Sequence, residues 1–227
     1  MTTCAIMQPT YLPWVGYFSL IKHVDQFVFL DDVQLSKQSW QTRNRILVSG
    51  EPHWLSVQIS KPTGLNTLIK DVLLDNKISW RKKHVSSLQA NYGRHPYYRE
   101  LSFIEETLLD ENITYLADLN VQLIIGICAY LGLTPNVHLA STLNIAGSRS
   151  ERLYLISTSL GCDRYMSPMG SQEYLIEDSF EEKYPIQLEY FNHLPREYTQ
   201  RKISVFVPYL SIYDLLANHG KESIDYI

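Results

Sequence analysis

The sequence predicts an α/β fold: a Rossmann-like parallel sheet flanked by helices, with an inserted hairpin and helical segment. Three observations predict it. Apolar runs at 4–7 and 26–30 are separated by a helix-length segment after Gly16, the strand, helix and strand order of a βαβ unit. Later segments at 136–140 and 186–191 that read as strands, and a strand and loop at 161–168, alternate with helical stretches, as parallel sheets require. The two leading strands end on polar residues, Gln8 at one and Asp31 and Asp32 at the other, and ligands of parallel sheets gather outside the carboxyl ends of strands.

The elements follow in order. Pro9 and Pro13 punctuate a loop that carries Tyr11 and Trp14, and Tyr17 opens the helix that follows. After Asp32 the segment 33–45 is dense in amide and cationic side chains around Trp40, too polar for core; it reads as a ligand-facing loop. Gly50-Glu51-Pro52 makes a turn before an alternating strand at 53–59, whose partner is expected at 68–74. A helix capped by Ser79 carries the basic run Arg81, Lys82, Lys83 and His84 and turns Trp80, Val85 and Leu88 inward. Gly93 stops it, Pro96 opens another helix to about 109, and a third runs from about 115 to 131 with Gly132 as its stop. After the strand at 136–140, Ser148 and Glu151 make a capping-box start for a helix to 160, and a serine-rich start beside Arg149 and Arg152 is also an anion site. A short helix starts at Gly170, and a last helix runs from Tyr209 to Gly220. The whole is read as one α/β domain over 1–227, with 46–133 as an inserted hairpin plus helical subdomain.

Composition removes several function classes. A net charge of −4 gives no broad basic field, so duplex nucleic acid is not an expected partner. The apolar run at 121–133 is too short to span a bilayer, and prolines interrupt the amino terminus where a signal peptide would be apolar, so a cytoplasmic product without a membrane span is expected. The three cysteines form no disulfide framework and no metal spacing. There is no nucleophile elbow, P-loop or glycine-rich dinucleotide motif. No cofactor or metal is implied.

The candidate chemistry lies in three strand-end segments. Gln8, Tyr11, Trp14 and Tyr17 form the first, and Asp31 and Asp32 with Gln34 the second. Adjacent strand residues point to opposite faces, so one aspartate enters the crevice and the other pairs with an arginine or caps a turn. A carboxylate there can accept a proton from an amine or hydroxyl, or bind a divalent cation through water. The third is Gln41, Arg43, Asn44 and Arg45, where guanidinium groups match phosphate or carboxylate. Ser148, Arg152 and Tyr165 supply further binding groups, and His193, just past a strand end, is a candidate for proton transfer. Cys162 enters an apolar strand with no activating partner and reads as a small buried hydrophobe.

Gln8-Pro9-Thr10-Tyr11-Leu12-Pro13-Trp14-Val15-Gly16-Tyr17-Phe18, Asp31-Asp32-Val33-Gln34, Trp40-Gln41-Thr42-Arg43-Asn44-Arg45, Ser150-Glu151-Arg152-Leu153 and the blocks at 160–167 and 206–220 resemble the WbqC-like protein family over nearly the whole chain. The resemblance implies a setting in bacterial surface polysaccharide and O-antigen synthesis, often with acylated amino sugars. A fainter likeness is to the adenylyltransferase and cytidylyltransferase superfamily, whose proline loop carries phosphate-binding histidines. Here Trp14 and Tyr17 stand near those places, which removes the main electrostatic support for nucleotidyl transfer. The expected function is a transferase that moves an acyl or aminoacyl group onto a nucleotide-linked amino sugar. Arg43, Arg45 and Arg152 would meet the phosphates, and the 81–84 face would meet an aminoacyl-tRNA or carrier-protein donor. The rivals are a nucleotidyltransferase-like enzyme lacking those histidines and a non-catalytic scaffold of a glycan assembly complex.

Overall fold

The computed structural model describes residues 1–36, 38–60 and 67–227; Lys37 of the polar 33–45 segment lies outside them. The elements are β1 Thr3–Met7, α1 Val15–Lys22, β2 Gln26–Phe29, β3 Arg43–Val48, β4 Glu51–Ser56, α2 Trp80–Tyr92, α3 Ser102–Leu109 and α4 Leu116–Tyr130. They continue as β5 Asn136–Leu139, α5 Ala140–Leu143, α6 Arg149–Ser159, β6 Arg164–Pro168, α7 Gln172–Glu177, α8 Phe180–Lys183, β7 Gln187–Phe191 and α9 Ile212–His219. Five strands form one sheet in the order β5-β2-β1-β6-β7, and all of its neighbouring pairs are parallel.

Alternation along the central strands splits the core between the two faces of the sheet. Ala5, Phe27 and Phe29 point into a cluster with Phe18 and Leu20 of α1, Leu119 and Leu123 of α4 and Leu216 of α9. Cys4, Ile6 and Val28 point into the other, with Leu153 and Ile156 of α6, Leu175 of α7 and Phe180 of α8. Strands covered on both faces read as unbroken apolar runs rather than alternating ones, which is why 4–7 and 26–30 stand out in the sequence. Among the described residues no helix is long and apolar enough to cross a membrane.

The inserted hairpin differs from expectation. Its strands are β3 and β4, antiparallel from Arg43 opposite Ser56 to Val48 opposite Glu51. Ser49 and Gly50 make the two-residue connection with φ of 53° and 92°, the left-handed pair that a type I′ turn needs. Pro52 sits within β4, opposite Leu47, which an edge strand tolerates because no amide proton is required on its open side. Among the described residues, the expected partner, 68–74, pairs with the expected strand at an isolated bridge between Ile59 and Leu74 and forms no ladder with it. The end of the polar segment, 43–45, is therefore strand and not loop. Ile46, Leu47 and Leu55 of the hairpin and Trp80, Leu88, Ile104 and Leu108 of α2 and α3 share the cluster that covers the α1 face.

Candidate active site

β1 delivers the chain at Met7 into the loop 8–14, and that loop is held by buried amides. Asn44, 2 % exposed, donates from Nδ2 to the carbonyls of Leu12 at 2.7 Å and Tyr11 at 3.2 Å. Asn120, fully buried, donates to the carbonyls of Gln41 at 2.8 Å and Pro9 at 3.1 Å. Gln41 donates from Nε2 to Gln8 Oε1, and its Oε1 accepts from Ser39 Oγ at 2.8 Å and the Ser36 amide at 3.1 Å. The Tyr11 amide donates to the Trp40 carbonyl at 2.8 Å, and the Ile212 amide to the Pro13 carbonyl at 2.8 Å. Gln8, Gln41 and Asn44 thus brace the loop. Tyr11 is buried as well, its phenol bonded to His84 Nδ1 at 2.8 Å.

What the loop presents to the outside is aromatic. Trp14 lies over the first turn of α1, so close that a Cβ on Gly16 would stand 2.3 Å from its ring; only glycine fits there. Trp14, Tyr17, Tyr209 and Met7 are common walls of two adjoining lobes. The first, about 450 Å³, is completed by Trp40, Asn44 and Arg45. The second, about 330 Å³, is completed by Pro168, Phe191, Asn192 and His193. Both volumes lie at the scale of small-molecule sites. Met7, Pro168 and Phe191 are the last residues of β1, β6 and β7. The chain leaves β1 for β2 on one side, while β6 and β7 lie on the other, so the cleft occupies the switch point where open α/β sheets bind ligands.

Two polar groups mark this cleft. Arg45 donates to the Tyr209 carbonyl at 3.1 Å and holds its guanidinium 6.0 Å from the Trp40 ring centre, with Nε unpartnered. His193 packs edge-on to Trp14 at 5.6 Å, and its Nε2 has no hydrogen-bond partner. Burial, with His23 and Arg196 close by, lowers the His193 pKa, so the imidazole is neutral at pH 7 and able to take a proton. Tyr17, by contrast, has its phenol pushed well up by burial and donates it to the Gln8 carbonyl at 3.0 Å.

The remaining sequence candidates lie elsewhere. Both Asp31 oxygens are engaged by Ser141, the amide at 2.9 Å and the hydroxyl at 2.6 Å, so this aspartate, 3 % exposed, caps the chain as it leaves β5. Asp32 pairs with Arg152 at 2.5 Å, each side chain 14 % exposed, and Arg152 also donates to the Ile145 carbonyl. Neither aspartate lines the two lobes. One of the pair caps a turn and the other meets an arginine, which leaves neither pointing into the cleft. Arg43 stacks over Trp54 at 4.3 Å. Gln34 is exposed, at a bridge to Leu68. Ser148 is exposed before α6 and its side chain makes no cap bond. Tyr165 is buried on the opposite face of the sheet beside Phe180. Cys162 is buried, and burial raises its thiol pKa. The basic face on α2 is only half a face: Arg81 is turned in to the carbonyls of Leu108 at 2.8 Å and Ile113 at 2.6 Å, and His84 to Tyr11. Carbonyls left open at the end of α3 attract that guanidinium. Among the described residues no group of His, Cys, Asp and Glu is placed to hold a metal ion.

The structure thus gathers Trp14, Tyr17, Asn44, Arg45 and His193 around one cleft and adds Tyr209, which sequence reasoning took as a helix start. Tyr209 has a left-handed backbone, φ 57°, and is 48 % exposed. The aromatic after Pro208 was its only trace in the sequence.

Comparison with known proteins agrees with the resemblance in the sequence. The model of the WbqC-like protein family matches residues 8–226. The chain is 32 % identical over 228 residues to the uncharacterized protein Rv1507c of Mycobacterium tuberculosis, covering 100 % of this chain and 98 % of that one. No solved structure matches.

Proposed function

The chain belongs to the WbqC-like protein family, and from that premise we propose that it is a transferase that moves an acyl or aminoacyl group onto the amine of a nucleotide-linked amino sugar in surface-glycan synthesis. The observation that carries this reading is the aromatic cleft at the switch point, with a cation at one lobe and a neutral imidazole at the other. Sugar and base both pack on aromatic faces, which Trp14, Trp40 and Tyr209 offer. Arg45 is the group for the phosphates.

In the reaction the acceptor amine attacks the acyl carbonyl of an ester or thioester donor. The new N–C bond forms, the C–O or C–S bond breaks, and the proton leaves nitrogen for His193, which returns it to the departing alkoxide or thiolate. Such chemistry needs positioning and a base. The nucleotidyltransferase alternative is weaker because Trp14 and Tyr17, at the places of its phosphate-binding histidines, supply no positive charge. The test is incubation with nucleotide amino sugars plus acyl-thioester or aminoacyl-tRNA donors, read by mass spectrometry. An acyl mass added to the sugar nucleotide supports the reading; no turnover with any donor, together with no binding of the sugar nucleotide, removes it.

A further inference from the structure

A cavity of about 500 Å³ lies between the hairpin turn, the end of α2 and the loop at 201–203. Arg94, His95, Arg201 and Lys202 line it, and no carboxylate does. In a chain of net charge −4 that is a concentration of positive charge against the overall balance. None of the three permanent cations has a carboxylate within ion-pair distance among the described residues, and none of their side chains makes a hydrogen bond there. Arg201 lies near enough to His95 to help lower its pKa.

A bland reading is that cations collect at the carboxyl end of α2 to meet its dipole. That end carries about half a negative charge, too little for three full positive ones, and Arg201 and Lys202 come from a segment distant in sequence. The loop that brings them is also built and not merely draped. Gln200, 5 % exposed, accepts from the Val207 amide at 2.8 Å and donates to the Val207 carbonyl at 3.0 Å, and the Arg201 amide donates to Asn218 Oδ1 at 3.2 Å. Ser49 and Lys202, both on the cavity wall, hold positive φ, and such conformations at residues other than glycine persist where surrounding structure enforces them. Unpaired guanidinium and ammonium groups lining one concave site match phosphate oxygens.

We propose that this cavity is a second binding site, for a small ligand carrying two or more phosphate charges, such as the diphosphate of a nucleotide. It is separate from the aromatic cleft and does not depend on the reaction assigned there. β3 connects the two: Asn44 and Arg45 face the cleft, and Leu47 with Ser49 beyond it faces the cavity, roughly 10 Å away at the rise of a strand.

The test is calorimetric titration of the whole chain with inorganic pyrophosphate at about 50 mM KCl, repeated at higher salt. Binding that weakens with salt, and weakens by about tenfold or more in Arg94→Gln/Arg201→Gln, supports the site. Arg94→Glu provides a second variant at an exposed side chain, and circular dichroism verifies the fold of each. Lys83→Gln, at an exposed lysine of α2 outside the cavity, is expected to leave pyrophosphate affinity unchanged, and Arg45→Gln reports whether the cleft binds pyrophosphate instead. The proposal is overturned by absence of binding to the wild type, by affinity in the cavity variants within about twofold of wild type, by loss confined to Arg45→Gln, or by a single-stranded RNA oligomer binding far more tightly than pyrophosphate.

Discussion

In the proposed acyl transfer, His193 carries the weight that the sequence first divided with the aspartates. A group that takes a proton must be deprotonated, which burial favours for His193 by lowering its pKa, whereas Asp31 is fully used by Ser141. Under the acyl-transfer reading, His193→Asn is expected to lower kcat by about 10²- to 10⁴-fold while melting at the wild-type temperature; equal activity in the mass-shift assay would refute the base role. Asp32 makes the opposite prediction. Asp32→Asn leaves the shielded Arg152 guanidinium without its counter-charge, so about 3 kcal/mol of stability should vanish in urea unfolding, with kcat unchanged in the fraction that remains folded. The sequence offered the types of these residues but not their distances. An acid pair at a strand end looks the same whether it faces a cleft or ties the strand end to neighbouring helices.

At the scale of elements, the loop 8–14 is rigid because Asn44 and Asn120 spend their amides on its carbonyls. Asn44→Ala removes two such bonds from a buried place, a loss of about 2–3 kcal/mol, and loosens Trp14 and Tyr17 together. The expected signature is a lower melting temperature with KM for the sugar nucleotide raised more than kcat is lowered; an unchanged KM would show that the loop does not set the cleft. This role was hidden because density in amides reads equally as ligand binding and as backbone bracing. The hairpin was misread for a related reason. Arg43, Asn44 and Arg45 are polar and Ile46 and Leu47 apolar, so β3 shows no continuous alternation. Arg43 and Arg45 occupy strand positions by stacking on Trp54, at 4.3 Å and 5.7 Å, a cross-strand contact that only the pairing reveals.

For the whole molecule, the parallel sheet was legible because β1 and β2, covered on both faces, stand out as apolar runs, and the part-exposed edge strands β5 and β7 and the mixed β6 could be placed by their positions between helical stretches. The site was less legible because it is assembled from the ends of β1, β6 and β7 and from Tyr209, segments that no local pattern connects. Global stability has a pH signature of its own. Burial lowers the His84 pKa from 6.5 to about 4, so the unfolded chain takes the proton first as pH falls. This contribution is fully present above about pH 6.5 and is lost toward pH 4, at most about 3 kcal/mol. Asp214 acts in the other direction: burial raises its pKa, so its ionised form weighs against folding at neutral pH and that burden lifts as pH falls through the raised value. Melting temperature should therefore decline from pH 7 to pH 4 in the wild type and decline less in His84→Asn; parallel curves would refute the assignment.

The division of β1 between two cores has a consequence for how such a chain can change in length. Cys4 and Ile6 serve one face and Ala5 the other, so deleting or inserting a single residue between 3 and 7 would exchange the faces of every position downstream in that strand. Both interiors would be spoiled at once, and the register of Gln8 against its neighbours with them. Viable gaps in an aligned set of family members should accordingly collect at connections such as 132–135, between α4 and β5, and bypass the opening strand altogether.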